Sequence, residues 1–445
     1  MLKRFTLENF SSFRDESSLD LTAGRTEILP KHVVNFDNVK ILKSAIVYGA
    51  NASGKSNLIK SISYAKDIVL DGLNSVDTYK KYFRLDIESS KKPTSFEFEL
   101  ELDNKFYAYG FSVILEKKEI VEEWLYEIGK NTSDKIFTRK SKTISFGKFL
   151  KGEKDLEKRF SIYADDMKNQ GSQLFLSEIA TKNLENDAVK IFNNIYKWFD
   201  KKLQIMYPSS KFNRVSSIGS DKNLSQIFKK YLNEFDTGIV DISSIEEDFE
   251  KSLKDVPEEI KDQIKKDLLK ENTKGEGLLQ LPNGTFLRVY KDANGELKTE
   301  KLGLVHSHEV KDVFELTDES DGTRRLFDLI PLIQRFAKDY TIIIDEFDRS
   351  LHPKLTKKFF ELFYALNNSK TQLIVSTHES TLLDLELARK DEIWFVEKDK
   401  SGSSKVFSLN LFKDRYDKKV EKAYLLGRYG AIPIFKSFDE IDTDK

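Results

Sequence analysis

Gly49-Ala50-Asn51-Ala52-Ser53-Gly54-Lys55-Ser56 lies between an apolar run, Ser44-Ala45-Ile46-Val47-Tyr48, and a segment with apolar residues at helical spacing, Asn57-Leu58-Ile59-Lys60-Ser61-Ile62. The spacing G-x-x-x-x-G-K-S predicts a buried strand, a tight loop and a helix whose first N–H groups face phosphates. Lys55 supplies a point charge to those phosphates, and the Ser56 hydroxyl is placed to hold Mg²⁺. Gly49, Asn51, Ala52, Ser53, Gly54 and Asn57 complete the expected cradle. Chance alone would place this pattern in a chain of this length in about a few per cent of cases. The strand before it and the helix after it lower that figure. Nucleotide binding within an α/β fold is the first expectation.

Moving outward along the chain, a second apolar run, Thr341-Ile342-Ile343-Ile344, ends in two carboxylates, Asp345 and Glu346. A buried strand that delivers adjacent acids to a phosphate loop fits phosphoryl transfer. Asp345 then binds Mg²⁺, and Glu346 orients or deprotonates the attacking water. Gln372-Leu373-Ile374-Val375 is a third such strand, leading into Ser376-Thr377-His378. Glu319-Ser320-Asp321-Gly322-Thr323 opens a helix bearing Leu326, Leu329 and Leu332. By itself it reads either as an ordinary N-cap or as an anion site. His378 by itself reads either as structural or as catalytic. Order and spacing favour the second reading of each, since Ser320 precedes Asp345 by 25 residues and His378 follows Glu346 by 32.

The whole chain sets the bounds. Its 445 residues suit two or three domains, or one large domain with an insertion. With 73 Lys and Arg against 74 Asp and Glu, no global basic field announces nucleic acid. There is no cysteine, which excludes disulfides, thiolate metal sites and cysteine nucleophiles. The start, Met1-Leu2-Lys3-Arg4-Phe5, lacks the apolar run of a signal peptide, and nowhere do eighteen apolar residues come in succession. A soluble, cytoplasmic protein without a membrane partner is expected.

Three regions emerge from the patterning. Residues 1–150 read as strand-rich: Ser95 to Leu102 alternates strictly, Asp103-Asn104 marks a turn, Phe106 to Leu115 returns, and Ile120 to Ile128 adds a third strand. Residues 151–275 read as a helical insertion. Leu174 to Ile205, with Ile179, Leu184, Ala188, Ile191, Ile195 and Trp198, has helical spacing. So does the stripe Ile242, Ile245, Phe249, Leu253 and Val256; Pro257 then opens another helix through Ile260, Ile264 and Leu268. Packing onto the main domain and a partner- or DNA-facing role are equally open for this insertion. In residues 276–445 strands resume near Leu278, with turn signals at Asn283-Gly284 and Asn294-Gly295.

This order of motifs resembles the ABC-type ATPase core, and more closely its SMC-like and OLD-like branch. Leu7-Glu8-Asn9-Phe10-Ser11-Ser12-Phe13 is similar to that branch's first strand and turn, which lie near the base, so Asn9 to Phe13 are expected to stack on or hydrogen-bond it. Ser320-Asp321-Gly322-Thr323 stands where the family carries its signature loop. Phe347-Asp348-Arg349-Ser350-Leu351-His352-Pro353 is similar to the OLD-like D-loop, and His378 matches the switch histidine. Leu174-Phe175-Leu176-Ser177 and Leu425-Leu426-Gly427-Arg428-Tyr429-Gly430-Ala431-Ile432-Pro433 resemble stand-alone bacterial ATPases of abortive-infection and anti-phage operons, the PARIS-like and AbiL-like subunits among them.

The resemblance implies an ABC-type P-loop core of mixed sheet and helices, an antiparallel β subdomain and a helical insertion. It implies ATP as substrate with Mg²⁺, and hydrolysis to ADP and phosphate. It also implies a homodimer or higher homo-oligomer in which Ser320, Gly322 and Thr323 of one copy face Lys55, Ser56, Asp345, Glu346 and His378 of the other. A separate effector, expected to be a nuclease, is implied by the resembled group, because the roughly 65 residues after His378 are too few for a fused TOPRIM domain. The alternative is a RecF-like or SMC-like ATPase that clamps DNA, and DNA stays open as a partner. Two departures stand out. No glutamine lies between Lys55 and Gln170 to serve as the Mg²⁺ sensor, and His352 replaces the usual D-loop aspartate.

Overall fold

The computed structural model describes residues 1–432 apart from residues 183, 185, 187, 188, 213, 269–275, 282, 283, 308–311 and 414–418. Ala188, Asn283, Pro433 and the acidic residues 439–445 therefore lie outside the described residues. The chain divides into two compact units. One comprises Met1–Pro208, Arg335–Asp348 and the chain from Phe360 onward; the other comprises Ser209–Gln334 and Arg349–Phe359. Boundaries at 150 and 275 do not coincide with this division. Phe160, Met167, Phe175, Phe192 and Phe199 join the same apolar core as Phe5, Phe96 and Phe98, so residues 151–208 pack with the first unit.

The first unit is α/β, the class expected from the sequence. Its core sheet runs in the order Leu203–Met206, Thr341–Ile344, Gln372–Ser376, Ser44–Tyr48, Ile393–Lys398, Ser404–Ser408. The first five are mutually parallel and the last is an antiparallel edge. The three central strands, from Thr341, Gln372 and Ser44, are buried at every residue. Strands covered on both faces carry uninterrupted apolar runs, which is why these three were legible. Leu203–Met206 corrects the helical reading of Leu174 to Ile205. Helices Phe175–Thr181 and Lys190–Lys197 give way, through a π-helical turn at Trp198–Lys202, to a four-residue edge strand.

A seven-stranded antiparallel sheet contains Thr94–Leu102, Lys105–Ile114 and Glu119–Ile128 in sequence, flanked by Leu2–Glu8 and Ser17–Asp20 on one side and Ser133–Lys140 and Thr143–Phe146 on the other. Period-two alternation puts Phe96, Phe98 and Leu100 into the core. Helix Lys55–Asp71 buries Leu58, Ile59, Ile62, Ala65, Ile68 and Val69 in that core. Gly72, at φ 82°, stops the helix, and its N–H returns to Ile68 O.

The second unit carries its own antiparallel sheet, ordered Ile239–Asp248, Leu297–His306, Phe286–Lys291, Glu276–Gln280. Its first strand overturns the helical stripe read from Ile242 onward. Ile239, Val240, Ile242 and Ile245 are β-branched and favour a strand, in which Ile242 and Ile245, three apart, fall on opposite faces of a regular ladder. Helix begins only at Phe249–Ser252, and Pro257 precedes helix Glu258–Leu268 as its position suggested. Phe249, Leu253, Leu268, Leu287 and Val289 form a small core of their own.

Candidate functional site

Neighbouring parallel strands of the core sheet end together, and the segments leaving them meet at one edge, where open α/β sheets bind ligands. Ser44–Tyr48 leads into Gly49, Thr341–Ile344 into Asp345, and Gln372–Ser376 into Thr377. Ser56 Oγ donates to Asp345 Oδ1 at 3.2 Å. Ser376 Oγ donates to the same oxygen at 2.5 Å, and accepts from Glu346 N at 2.9 Å. One serine hydroxyl thus fixes the Asp345 carboxylate and the backbone of Glu346. Glu346 sits at φ 47°, a left-handed conformation that turns the chain sharply after the strand. Phe347 N then closes onto Ser376 O at 2.9 Å.

Asp348 ties the acid strand to the histidine. It accepts from Thr377 Oγ1 at 2.8 Å and from His378 N at 3.3 Å. The structure therefore brings Ser56, Asp345, Glu346 and His378 together with the loop that carries Lys55.

The loop is supported from behind. Gly54 adopts φ 116°, and a Cβ there would lie 2.4 Å from Ser404 Oγ and 2.8 Å from Ser12 Oγ. Only glycine meets both demands. Ser404 Oγ donates to Ser53 O at 2.6 Å and pairs with Ser12 Oγ at 2.8 Å, while Asn57 Nδ2 donates to Ser12 Oγ at 2.9 Å. Gly49 is equally constrained, since a Cβ would meet Val396 O at 2.5 Å. Asn51 and Ala52 are exposed at the loop's tip, and Ala52 has φ 61°.

Lys55 is buried, and its ammonium donates to Gly49 O at 2.7 Å and Ala50 O at 3.2 Å. Desolvation pushes its pKa down to about 8, against the opposing pull of Asp345, Asp348 and Glu346. Desolvation and the Lys55 charge also lower the pKa of His378, so its imidazole is neutral at pH 7. Neutral imidazole retains one N–H to donate and one nitrogen to accept.

Ser320, Gly322 and Thr323 belong to the second unit. Ser320 is the N-cap of helix Asp321–Ile333, accepting from Thr323 N at 3.1 Å and sharing a 3.0 Å contact with Thr323 Oγ1. The plain N-cap geometry is thus present at an exposed serine. Gly322 lets the backbone at Ser350 approach: a Cβ there would lie 2.8 Å from Ser350 O. His306 Nε2 lies 2.6 Å from Glu319 Oε1, just before the serine.

One expectation changes. Asn9 is buried and committed to backbone: its amide nitrogen donates to Ser89 O, Lys92 O and Pro93 O, and its oxygen accepts from Phe83 N. Phe10 and Phe13 lie in the apolar core. No side chain of these three is presented to a base, because the turn spends them on anchoring itself. Ser376, Asp348 and Ser404 were missed as site residues. Ser376 and Asp348 stood inside the segments Ser376–His378 and Phe347–Pro353; Ser404 gave no signal, because only the hairpin after Ile393–Lys398 carries it to the loop.

The family described as AAA domain, putative AbiEii toxin, Type IV TA system matches residues 44–384, well over half of the chain. No curated protein matches it. Among solved structures, the chain is similar to an SMC head bound to the C-winged helix domain of ScpA, at 13% identity and TM-score 0.37, covering 92% of this chain and 97% of that one. The SMC head domain from Thermotoga maritima aligns at 12% identity and TM-score 0.36, covering 92% and 98%.

Proposed function

Since the chain belongs to the AAA-domain family described as putative AbiEii toxin, Type IV TA system, we propose that it hydrolyses ATP to ADP and phosphate and acts as the sensor and scaffold of an anti-phage, abortive-infection system that holds a separate effector, a nuclease. The observation that carries the enzymatic part is the shared serine. Ser376 Oγ bonds Asp345 at 2.5 Å and Glu346 N at 2.9 Å beside Ser56, so two acids with different tasks are held in fixed relation to the phosphate loop.

The roles divide by chemistry. Lys55 exchanges two loop carbonyls for phosphate oxygens. Ser56 Oγ and the Asp345 carboxylate are hard oxygen donors of the kind Mg²⁺ takes, and Mg²⁺ bound with ATP neutralises charge on the phosphates. Glu346 orients the water and accepts its proton. Neutral His378 donates a hydrogen bond toward the γ-phosphate. Ser320, Gly322 and Thr323 of a second copy complete the site, so ATP holds two copies together until the γ-phosphate leaves.

Glu346→Gln keeps the shape and removes the base, so turnover falls by about 10²–10⁴ while ATP binding survives. Steady-state phosphate release and nucleotide-binding titration of the same preparation check this; unchanged turnover refutes the role. The Glu346→Gln chain, tagged and recovered from its native host, tests the biological part. A stoichiometric nuclease with little DNA supports the sensor reading, and duplex DNA with no effector overturns it in favour of a clamp.

A further inference from the structure

Past the hairpin strand Ser404–Ser408 the described residues form a packed frame that nonetheless leaves three leucines exposed. After helix Val420–Leu425, Gly427, Gly430 and Ala431 take φ values of 75°, 68° and 55°, a succession of tight turns. Tyr429 is buried, stacked on Phe395 at 5.8 Å and edge-on to Phe412 at 5.0 Å. Phe395 also stacks on Tyr424 at 5.6 Å, and the Tyr424 hydroxyl donates to Ala431 O at 3.2 Å. Ala431 N donates to Glu397 Oε1 at 3.2 Å, and a Cβ on Gly430 would lie 2.9 Å from that carboxylate. On this frame Leu425 and Leu426 are 60% and 75% exposed, and Leu411, beside Phe412, is 74% exposed.

These turns bury Tyr424 and Tyr429 yet leave Leu411, Leu425 and Leu426 in water, and large apolar side chains held outward on an ordered segment mark a surface that is covered in use. The exposed charges around it are mostly cationic, with Glu397 the exposed carboxylate that packs on Gly430 and Ala431. Lys413, Lys419, Lys422 and Arg428 are exposed, and Lys419, Lys422 and Leu426 succeed one another at helical spacing. Among the described residues from 409 to 432 the one carboxylate is Glu421, which already accepts from Ser380 Oγ at 2.8 Å.

We propose that Leu425 and Leu426, rimmed by Lys419, Lys422 and Arg428, form a knob that docks into an apolar groove bordered by carboxylates on a separate polypeptide. Charge complementarity commits the occupant to an acidic partner. This rests on the reading of the chain as a scaffold for a separate effector, and it names where and by what chemistry that effector is held. The helix that carries the knob packs beside the nucleotide site. The ring of Tyr48, which precedes Gly49, lies 5.7 Å from Tyr424, and Ser380 stands two residues after His378.

The test places the photo-cross-linker p-benzoylphenylalanine at position 426 of the Glu346→Gln chain in its native host. The cross-linked peptide is identified, and that polypeptide is then purified for binding assays. Support is a cross-link to a different polypeptide at apolar residues flanked by Asp or Glu. Leu426→Asp must then weaken binding of the purified partner by about 30-fold or more, the scale of an interface hot spot. Arg428→Glu must weaken it too, with ATP turnover of both variants within about two-fold of the parent. Cross-links to a second copy of this chain, no cross-link, or unchanged binding by Leu426→Asp overturn the proposal. Turnover of the parent chain is measured alongside. Its absence defeats the ATPase reading, whereas normal turnover with an indifferent Leu426 defeats the docking site alone.

Discussion

Lys55 keeps a charged ammonium on two loop carbonyls in a buried position, and its pKa of about 8 against an ordinary 10.5 is the mark of that burial. Between those two values the unfolded chain holds the proton and the folded chain does not, so this residue's contribution to stability rises with pH across that window. Below about pH 8 the full penalty stands. Lys55→Met in nucleotide-free protein is therefore expected to raise the urea midpoint at pH 7, with the advantage over the parent shrinking toward pH 10. An equal advantage at both pH values contradicts the burial account. Ser376 makes a separable prediction, since it positions acids without reacting. Ser376→Ala leaves Asp345 with only Ser56 of its two hydroxyl donors and Glu346 N without its partner. Apparent Mg²⁺ affinity in the ATPase assay is expected to fall by about 10–100-fold, the usual scale for a group behind a metal ligand. Saturating Mg²⁺ then restores much of the rate. The loop and acid residues were legible because each closes an uninterrupted apolar strand. Ser404 was not, because no local pattern reveals which loop a hairpin will touch.

At the scale of elements, Leu174-Phe175-Leu176-Ser177 shows what a recurrent motif can mean without chemistry. Glu123, fully buried in the antiparallel sheet, accepts from Phe175 N at 2.7 Å, Leu176 N at 2.9 Å and Tyr109 OH at 3.1 Å. Ser177 Oγ donates to Val69 O at 2.5 Å, fastening the same short helix to the one that starts at the phosphate loop. Burial pushes the Glu123 pKa up, while those N–H donors pull the other way. Glu123→Ala strands three buried donors, and a loss of about 3 kcal/mol or more is expected by urea denaturation. A loss under about 1 kcal/mol refutes the cap. The same scale explains the misread elements. Leu203–Met206 is four residues long and continues a helical apolar spacing, so periodicity had no room to change sign. Ser133–Lys140 carries Asp134, Lys135, Arg139 and Lys140 and lies near the edge of its sheet, where polar residues are tolerated. Strand Ile239–Asp248 was hidden because Ile242 and Ile245, which fall on opposite faces of a regular strand, stand three apart in sequence and run on into Phe249 and Leu253 of the following helical segment.

For the whole molecule, the decisive question is whether one chain makes one site or half of two. Each chain has one phosphate loop with its acids in the first unit and one Ser320-Gly322-Thr323 turn in the second. A split site means that two differently damaged chains can repair each other. Lys55→Ala disables the phosphate side, and Ser320→Arg puts a bulky cation where the exposed N-cap serine stands, at a folding cost of about 1 kcal/mol for the lost cap. Alone, each variant is expected to be inactive. Mixed in equal amounts, half of the pairs are heterodimers, and each holds one undamaged site made from the intact loop of one chain and the intact turn of the other. Activity then returns to about a quarter of the parent value for random pairing in a two-fold dimer. Recovery should grow with total protein concentration and with ATP, because assembly precedes turnover. If the site is complete within one chain, the mixture stays as inactive as its parts at every concentration, and ATP has no role as the link between copies.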